Sequence, residues 1–232
     1  MSGGVALAWA TEATEKGLIS KKETEVALSF GDAQGYQQVT RLLGHGANNF
    51  YQLLRQGSLK AAAEYGGEEF ACVLGQKMAG YATGEVFFTA QSLGFRHSHL
   101  DSGGYSYDQK HSEQDTYGVV NFLIKDEAAR ALMTSMVSCL FARGVYKQEL
   151  LADCLMSVGY PDIAATIDEL GKHIQKLRWK TRISTGFTPE SVTIPKRFFK
   201  VKAWKGLIDP TYLNNLKSEY GKTIMNLAGA QS

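Results

Sequence analysis

The sequence predicts a mainly α-helical fold with at most a few short strands, built as one larger domain or two small ones from 232 residues, 44% of them hydrophobic. Two observations lead there. Apolar residues recur at helical spacing, most clearly over 162–179, where Ile163, Ile167, Leu170, Ile174 and Leu177 share one face. Glycines and prolines also stand where such segments should start or stop.

Residues 4–17, "GVALAWATEATEKG", group Val5, Leu7, Ala8 and Trp9 ahead of Glu12, Glu15 and Lys16, and Gly17 closes the segment. Ser20 and Glu23 have capping-box spacing for a short second helix. Helices follow at 33–44 and 47–65, the latter broken near Gly57 and Ser58. Over 68–82 the helical period disappears, which predicts one or two strands. It resumes in "DEAARALMTSMVSCLFARG" and "KQELLADCLMSVG", both closed by glycine, a pair expected to pack together. The helix at 162–179 has Pro161 in its first turn. After an irregular stretch, "DPTYLNNLKSEYGKTIMNLAG" brings Tyr212, Leu216, Tyr220 and Ile224 into register.

A formal charge of +2, spread along the chain, gives no basic stripe for nucleic acid and no polybasic membrane anchor. No apolar run reaches the ~20 residues of a membrane span, and no signal peptide is present, so a cytoplasmic protein is expected. Three cysteines, Cys72, Cys139 and Cys154, argue for reduced thiols over a disulfide framework. The Rossmann fingerprint, the P-loop, the GxSxG elbow, HExxH and CxxC are all absent from the sequence.

The stretch "GFRHSHLDSGGYSYDQKH" leaves three readings open. His97, His99 and Asp101 could converge on a divalent ion, or the segment is an exposed loop of turn formers, or one histidine moves a proton beside a cofactor held elsewhere. Cys139, beside Met136 and Leu140, reads from its neighbours as a buried apolar thiol, as do Cys72 and Cys154.

The order of "LAWATEATEKGLIS", "SLGFRHSH", "SCLF" and "TPESVTIPKRFF" resembles the C-terminal portion of the aldehyde:ferredoxin oxidoreductase family, across essentially the whole chain. The opening is similar to the family's "AWAMEAYEKGL", and "SVTIPKRFF" to its "DTLPERLL". The resemblance implies two helical domains, 1–93 and 94–232, that cover a tungsten or molybdenum bis-pterin seated on an N-terminal base domain. It also implies oxidation of a small aldehyde to a carboxylic acid, with electrons passed through a 4Fe-4S cluster to ferredoxin.

By the same resemblance Cys139 matches the last cluster cysteine of the family's "DxxGLC" motif, as a metal ligand. In that motif Thr134 takes the place of the pterin-contacting aspartate and Val137 that of the glycine. His97 resembles the histidine of "GACH", a proton-exchanging group near the metal, and His99 falls at a basic pterin-contacting position. "KMAGYATG" resembles "EMPAYDPRG", with Lys77, Ala82, Thr83 and Gly84 replacing the glutamate, aspartate, proline and arginine, and Tyr81 retained. The family's remaining cluster cysteines and first pterin motif would precede Met1, so the chain alone is expected to be inactive and to hold neither cofactor. A base domain would be its partner, and an apolar, glycine-lined surface is expected near 75–100 and 132–142. The alternative is a helical interaction module that keeps the fold without the cofactor site.

Overall fold

A computed structural model describes residues 2–72 and 81–229. The chain forms two compact units, Met1–Met78 and Ala79–Ser232. The division falls earlier than the expected 93/94 boundary because the helix at Glu85–Leu93 packs on elements of the second unit.

The first unit contains α1 (Ser2–Glu15), α2 (Lys21–Thr24), α3 (Ala33–His45), α4 (Asn49–Leu54), α5 (Ser58–Tyr65) and α6 (Glu68–Ala71). Ser20 and Glu23 form the expected capping box, while Asp32 and Asn48 accept backbone N–H bonds at the starts of α3 and α4. Trp9, Val39, Phe50, Tyr51 and Leu54 share one core. Buried polar tips find partners there: Trp9 Nε1 donates to the Gly67 carbonyl at 3.3 Å and the Tyr51 hydroxyl to the Thr24 carbonyl at 2.5 Å.

The second unit contains α7 (Glu85–Leu93), α8 (Gly104–Asp108), α9 (Thr116–Ser135), α10 (Gln148–Ser157), α11 (Pro161–Ala165), α12 (Ile167–Ser184) and α13 (Pro210–Ala228). Helices α9, α12 and α13 pack against one another around Leu123, Trp179, Leu216 and Tyr220, while Leu132 joins Leu151 and Ile167 in a smaller cluster. At Gly171 a β-carbon would lie 2.8 Å from the Ala128 carbonyl oxygen, so α12 approaches α9 at a distance only glycine permits. Helix α7 lies against α8 and α13, and α10 against α11 and α12. One antiparallel hairpin, β1 (Lys202–Ala203) and β2 (Gly206–Leu207), is the strand content of the described residues.

Several expectations need correction. Glu68–Ala71 is a helical turn where a strand was expected, and residues 73–80 lie outside the described residues. Helix α7 was not foreseen. All nine of its residues are buried, including Glu85, Thr89, Gln91 and Ser92, so no polar face produces a helical period. Helix α9 begins at Thr116, capped by Asp115, and stops at Ser135, well short of Gly144.

The early stop has a local cause. At Gly17, Gly46, Gly159 and Gly186 the chain leaves a helix with φ between +64° and +94°, and paired N–H bonds return to carbonyls three and five residues back. Helix α9 ends in the same motif: Val137 N–H donates to the Thr134 carbonyl and Ser138 N–H to the Met133 carbonyl. The turning residue here is Val137, at φ +58°. A β-branched residue gives no stop signal to a reader of sequence.

Candidate functional site

The segment from Gly94 to Ser102 is organised by Asp101, whose side chain is 1% exposed. Its Oδ2 accepts the Arg96 N–H at 2.7 Å and the Ser98 N–H at 3.2 Å, and its Oδ1 accepts Arg96 Nε at 2.8 Å. These charge-assisted bonds tie the loop to itself. Gly94 is required by proximity, since a β-carbon there would meet the Ala90 carbonyl oxygen at 2.5 Å. The loop is therefore not the exposed turn that its composition suggested.

His97 sits in this loop at φ +53°, half-buried. Its Nδ1 lies 2.8 Å from the Ser92 carbonyl oxygen and its Nε2 lies 2.7 Å from Arg182 Nη2. Burial, with the Arg182 charge adding, lowers the pH at which the ring protonates. Arg182, on α12, also donates through Nη1 to the Phe95 carbonyl, and its guanidinium lies 4.4 Å from the Phe187 ring centre. Nothing in the sequence pointed to Arg182, which sits 85 residues from His97.

His99 packs edge-on to Tyr81, which is stacked on Tyr105 with 5.0 Å between ring centres. Burial, then the Arg130 charge, disfavours its protonation. With Asp101 committed to Arg96 and to backbone amides, the divalent-ion reading fails, and no group of three or more His, Cys, Asp or Glu able to hold a metal exists among the described residues. Asp108, the second aspartate of the stretch, caps α7 from outside it: Phe87 N–H donates to its Oδ2 at 2.8 Å. Burial pushes its carboxyl up to about 6.

Cys139 follows the end of α9 and is exposed, as is Cys154, while Cys72 is half-buried. The expected burial of these thiols is thus overturned. For Cys139 the reason is the stop at Val137, which places the cysteine beyond the helix whose apolar face would have covered it. Val137 is 94% exposed and Phe141 85% exposed, so the turn does present the apolar surface expected over 132–142. Of the part expected near 75–100, residues 75–80 lie outside the described residues, Tyr81 is partly exposed, and Glu85–Leu93 contributes no surface because α7 is wholly buried. Next to the turn, a groove of about 370 Å³ is lined by Arg130, Arg143, Tyr146, Lys147 and Glu149 among others. Arg143 Nη2 donates to the Tyr105 hydroxyl at 3.1 Å. The Thr134 hydroxyl turns back to the Arg130 carbonyl at 2.8 Å.

Behind these segments lies an acid that sequence reasoning missed. Glu127 of α9 is 1% exposed, and its Oε2 accepts Gln175 Nε2 at 2.7 Å and Trp179 Nε1 at 2.8 Å, both from α12. Its Oε1 has no partner, nor has the buried Tyr220 hydroxyl of α13. Burial pushes the Glu127 carboxyl up to about 7. The available signal was register: Glu127 stands four residues from both Leu123 and Ala131, on the apolar face of α9.

The family model for aldehyde ferredoxin oxidoreductase, domains 2 and 3, matches residues 1–222, and the chain belongs to that family. No curated protein matches it. Membership makes the chain part of an oxidoreductase family whose complete enzymes carry a tungsten-pterin and an iron–sulfur centre. No helix among the described residues is long and apolar enough to cross a membrane.

Tested against those cofactors, the residues divide. Cys139 fits as a single cluster ligand, because it is a free thiol on an exposed turn, and soft sulfur suits iron. The pterin positions do not fit. Thr134 offers no carboxylate and its hydroxyl is spent on its own helix, while His99 is half-buried and disfavoured as a cation. The Lys77 position lies outside the described residues.

Proposed function

We propose that this chain forms the helical portion of a tungsten- or molybdenum-pterin enzyme that oxidises a small aldehyde to a carboxylic acid. The family match over residues 1–222 carries the reading. In the reaction an aldehyde gains an oxygen atom from water and releases two protons and two electrons. When bound, the metal–pterin and the four-iron cluster supply the electron path to ferredoxin.

The chain's own part is limited to what its residues can do. Cys139 supplies one thiolate of the cluster, and a base domain supplies the others. His97 takes or returns a proton at Nε2, which requires Arg182 Nη2 to move aside from its 2.7 Å contact. No step is assigned to Thr134 or His99. The enzyme is placed in the cytoplasm.

A second reading is favoured by the residues at the motif itself. Thr134 and Val137 replace the aspartate and glycine of the family pattern, and both ring nitrogens of His97 are engaged within the chain. These features suit a helical interaction module that retains the fold and has lost the chemistry.

The two readings separate on metal content. Co-expressed with the family's N-terminal domain, the chain should yield iron together with tungsten or molybdenum, and Cys139→Ser should lose most of the iron. Iron content that ignores Cys139→Ser would remove Cys139 from the cluster. Absence of metal in the complex would leave the interaction module.

A further inference from the structure

We propose that Arg182 is a positioning residue that fixes the His97 imidazole in one tautomer, with the proton on Nδ1 and the Nε2 lone pair facing a guanidinium. Donor and acceptor chemistry alone fixes the tautomer. A backbone carbonyl can only accept, so the 2.8 Å contact between Nδ1 and the Ser92 oxygen requires a hydrogen on Nδ1. A guanidinium can only donate, so the 2.7 Å contact between Arg182 Nη2 and Nε2 requires a bare Nε2. The ring is thus specified from both sides, with neither nitrogen left to choose.

The guanidinium is itself fixed. Nη1 donates to the Phe95 carbonyl, and the group lies 5.6 Å from the Phe95 ring centre and 4.4 Å from that of Phe187. Arg178, one turn earlier on α12, lies 4.1 Å from the Phe95 ring centre, so a second cation approaches the same ring. Asp101, the acid whose charge acts on both His97 and Arg182, is already bonded to Arg96 and to two backbone amides. Protonated His97 would therefore place a second positive charge against Arg182, with only the already committed Asp101 to offset both. His97 acts as a proton acceptor only when Arg182 swings away, so Arg182 gates the role given to His97 above. That catalytic meaning rests on the proposed function, whereas the tautomer does not.

The test is long-range proton–nitrogen correlation NMR on the whole chain labelled with nitrogen-15 in its histidines. Wild-type His97 should show a protonated Nδ1 and a bare Nε2 at neutral pH. Arg182→Met should release the ring to a tautomer mixture and raise the pH at which it protonates, while Arg182→Lys, which keeps a donor, should retain the wild-type pattern. A wild-type ring protonated on Nε2 overturns the proposal even if no variant folds. So does a folded Arg182→Met protein with unchanged His97 signals. The expected tautomer in a chain that never acquires metal with the N-terminal domain would keep the Arg182 assignment and discard the enzymatic reading.

Discussion

The His97 loop and the Cys139 turn each bend the backbone through a non-glycine residue with positive φ, and they hold that bend differently. His97, at φ +53°, is fastened by its own ring to Ser92 and Arg182, inside a loop stitched by Asp101. Val137, at φ +58°, is held by two backbone bonds, with its side chain in solvent. A left-handed conformation costs an L-residue about 1 to 2 kcal/mol. In the first region side-chain bonds offset that cost; in the second the valine side chain stands in solvent and only backbone bonds oppose it. The first is a site completed within this unit, and the second is a turn with a thiol at its edge that lacks further ligands among the described residues.

The largest effect that would break this comparison is at the carboxylate of the loop. Asp101→Ala strands the Arg96 and Ser98 amides and should cost about 3 kcal/mol in urea unfolding. A loss below about 1 kcal/mol would mean that the loop is no better fastened than the turn.

Next comes the acid in α9, the helix that leads to the turn. The carboxyl of Glu127 titrates near 4.5 when unperturbed and at about 7 when folded. Between those values the folded chain keeps a proton that the unfolded chain has released, so stability falls as pH rises, by up to about 1.4 kcal/mol per pH unit. This contribution is whole below the lower value and is lost as pH climbs through the upper one. Glu127→Gln should flatten that slope in denaturation curves collected across the window. An unchanged slope would show that the acid is hydrated in the fold.

Smaller still is the turn itself. Val137→Gly removes the left-handed penalty at the cost of some chain entropy and should stabilise the protein by about 0.5 to 1 kcal/mol. Destabilisation would mean that the valine makes a contact that its 94% exposure hides. Cys139→Ser should change stability by less than about 0.5 kcal/mol, and the wild-type thiol should alkylate readily in the native state. A protected thiol would contradict the open turn.

Amphipathic helices were legible wherever one face is wet. The segment at 33–44 and the C-terminal helix stand close to their expected places, and the capping box at Ser20 and Glu23 forms as its spacing implied; the helix expected over 162–179 is instead divided at Thr166 into α11 and α12, with Ile163 and Leu177 of its expected apolar face exposed. Legibility failed where the environment is uniform or the signal residue is unusual. Helix α7 is buried on all sides and so has no period, and α9 stops at a valine where a glycine would have announced the end. The misreading of Cys139 as a core thiol followed from that second failure.

By itself, then, the sequence determined the helical class, the family to which the order of its segments belongs, and the positions His97 and Cys139 as the ones to ask about. Local patterns suffice for that, because helix periodicity and capping involve neighbours within a few residues. Only the tertiary structure decided what those positions are. Arg182 reaches His97 from 85 residues away, Gln175 and Trp179 reach Glu127 from another helix, and the exposure of Cys139 depends on where α9 ends. A hydrogen bond across helices leaves no spacing in the sequence, since its partners are brought together by packing and not by the chain between them.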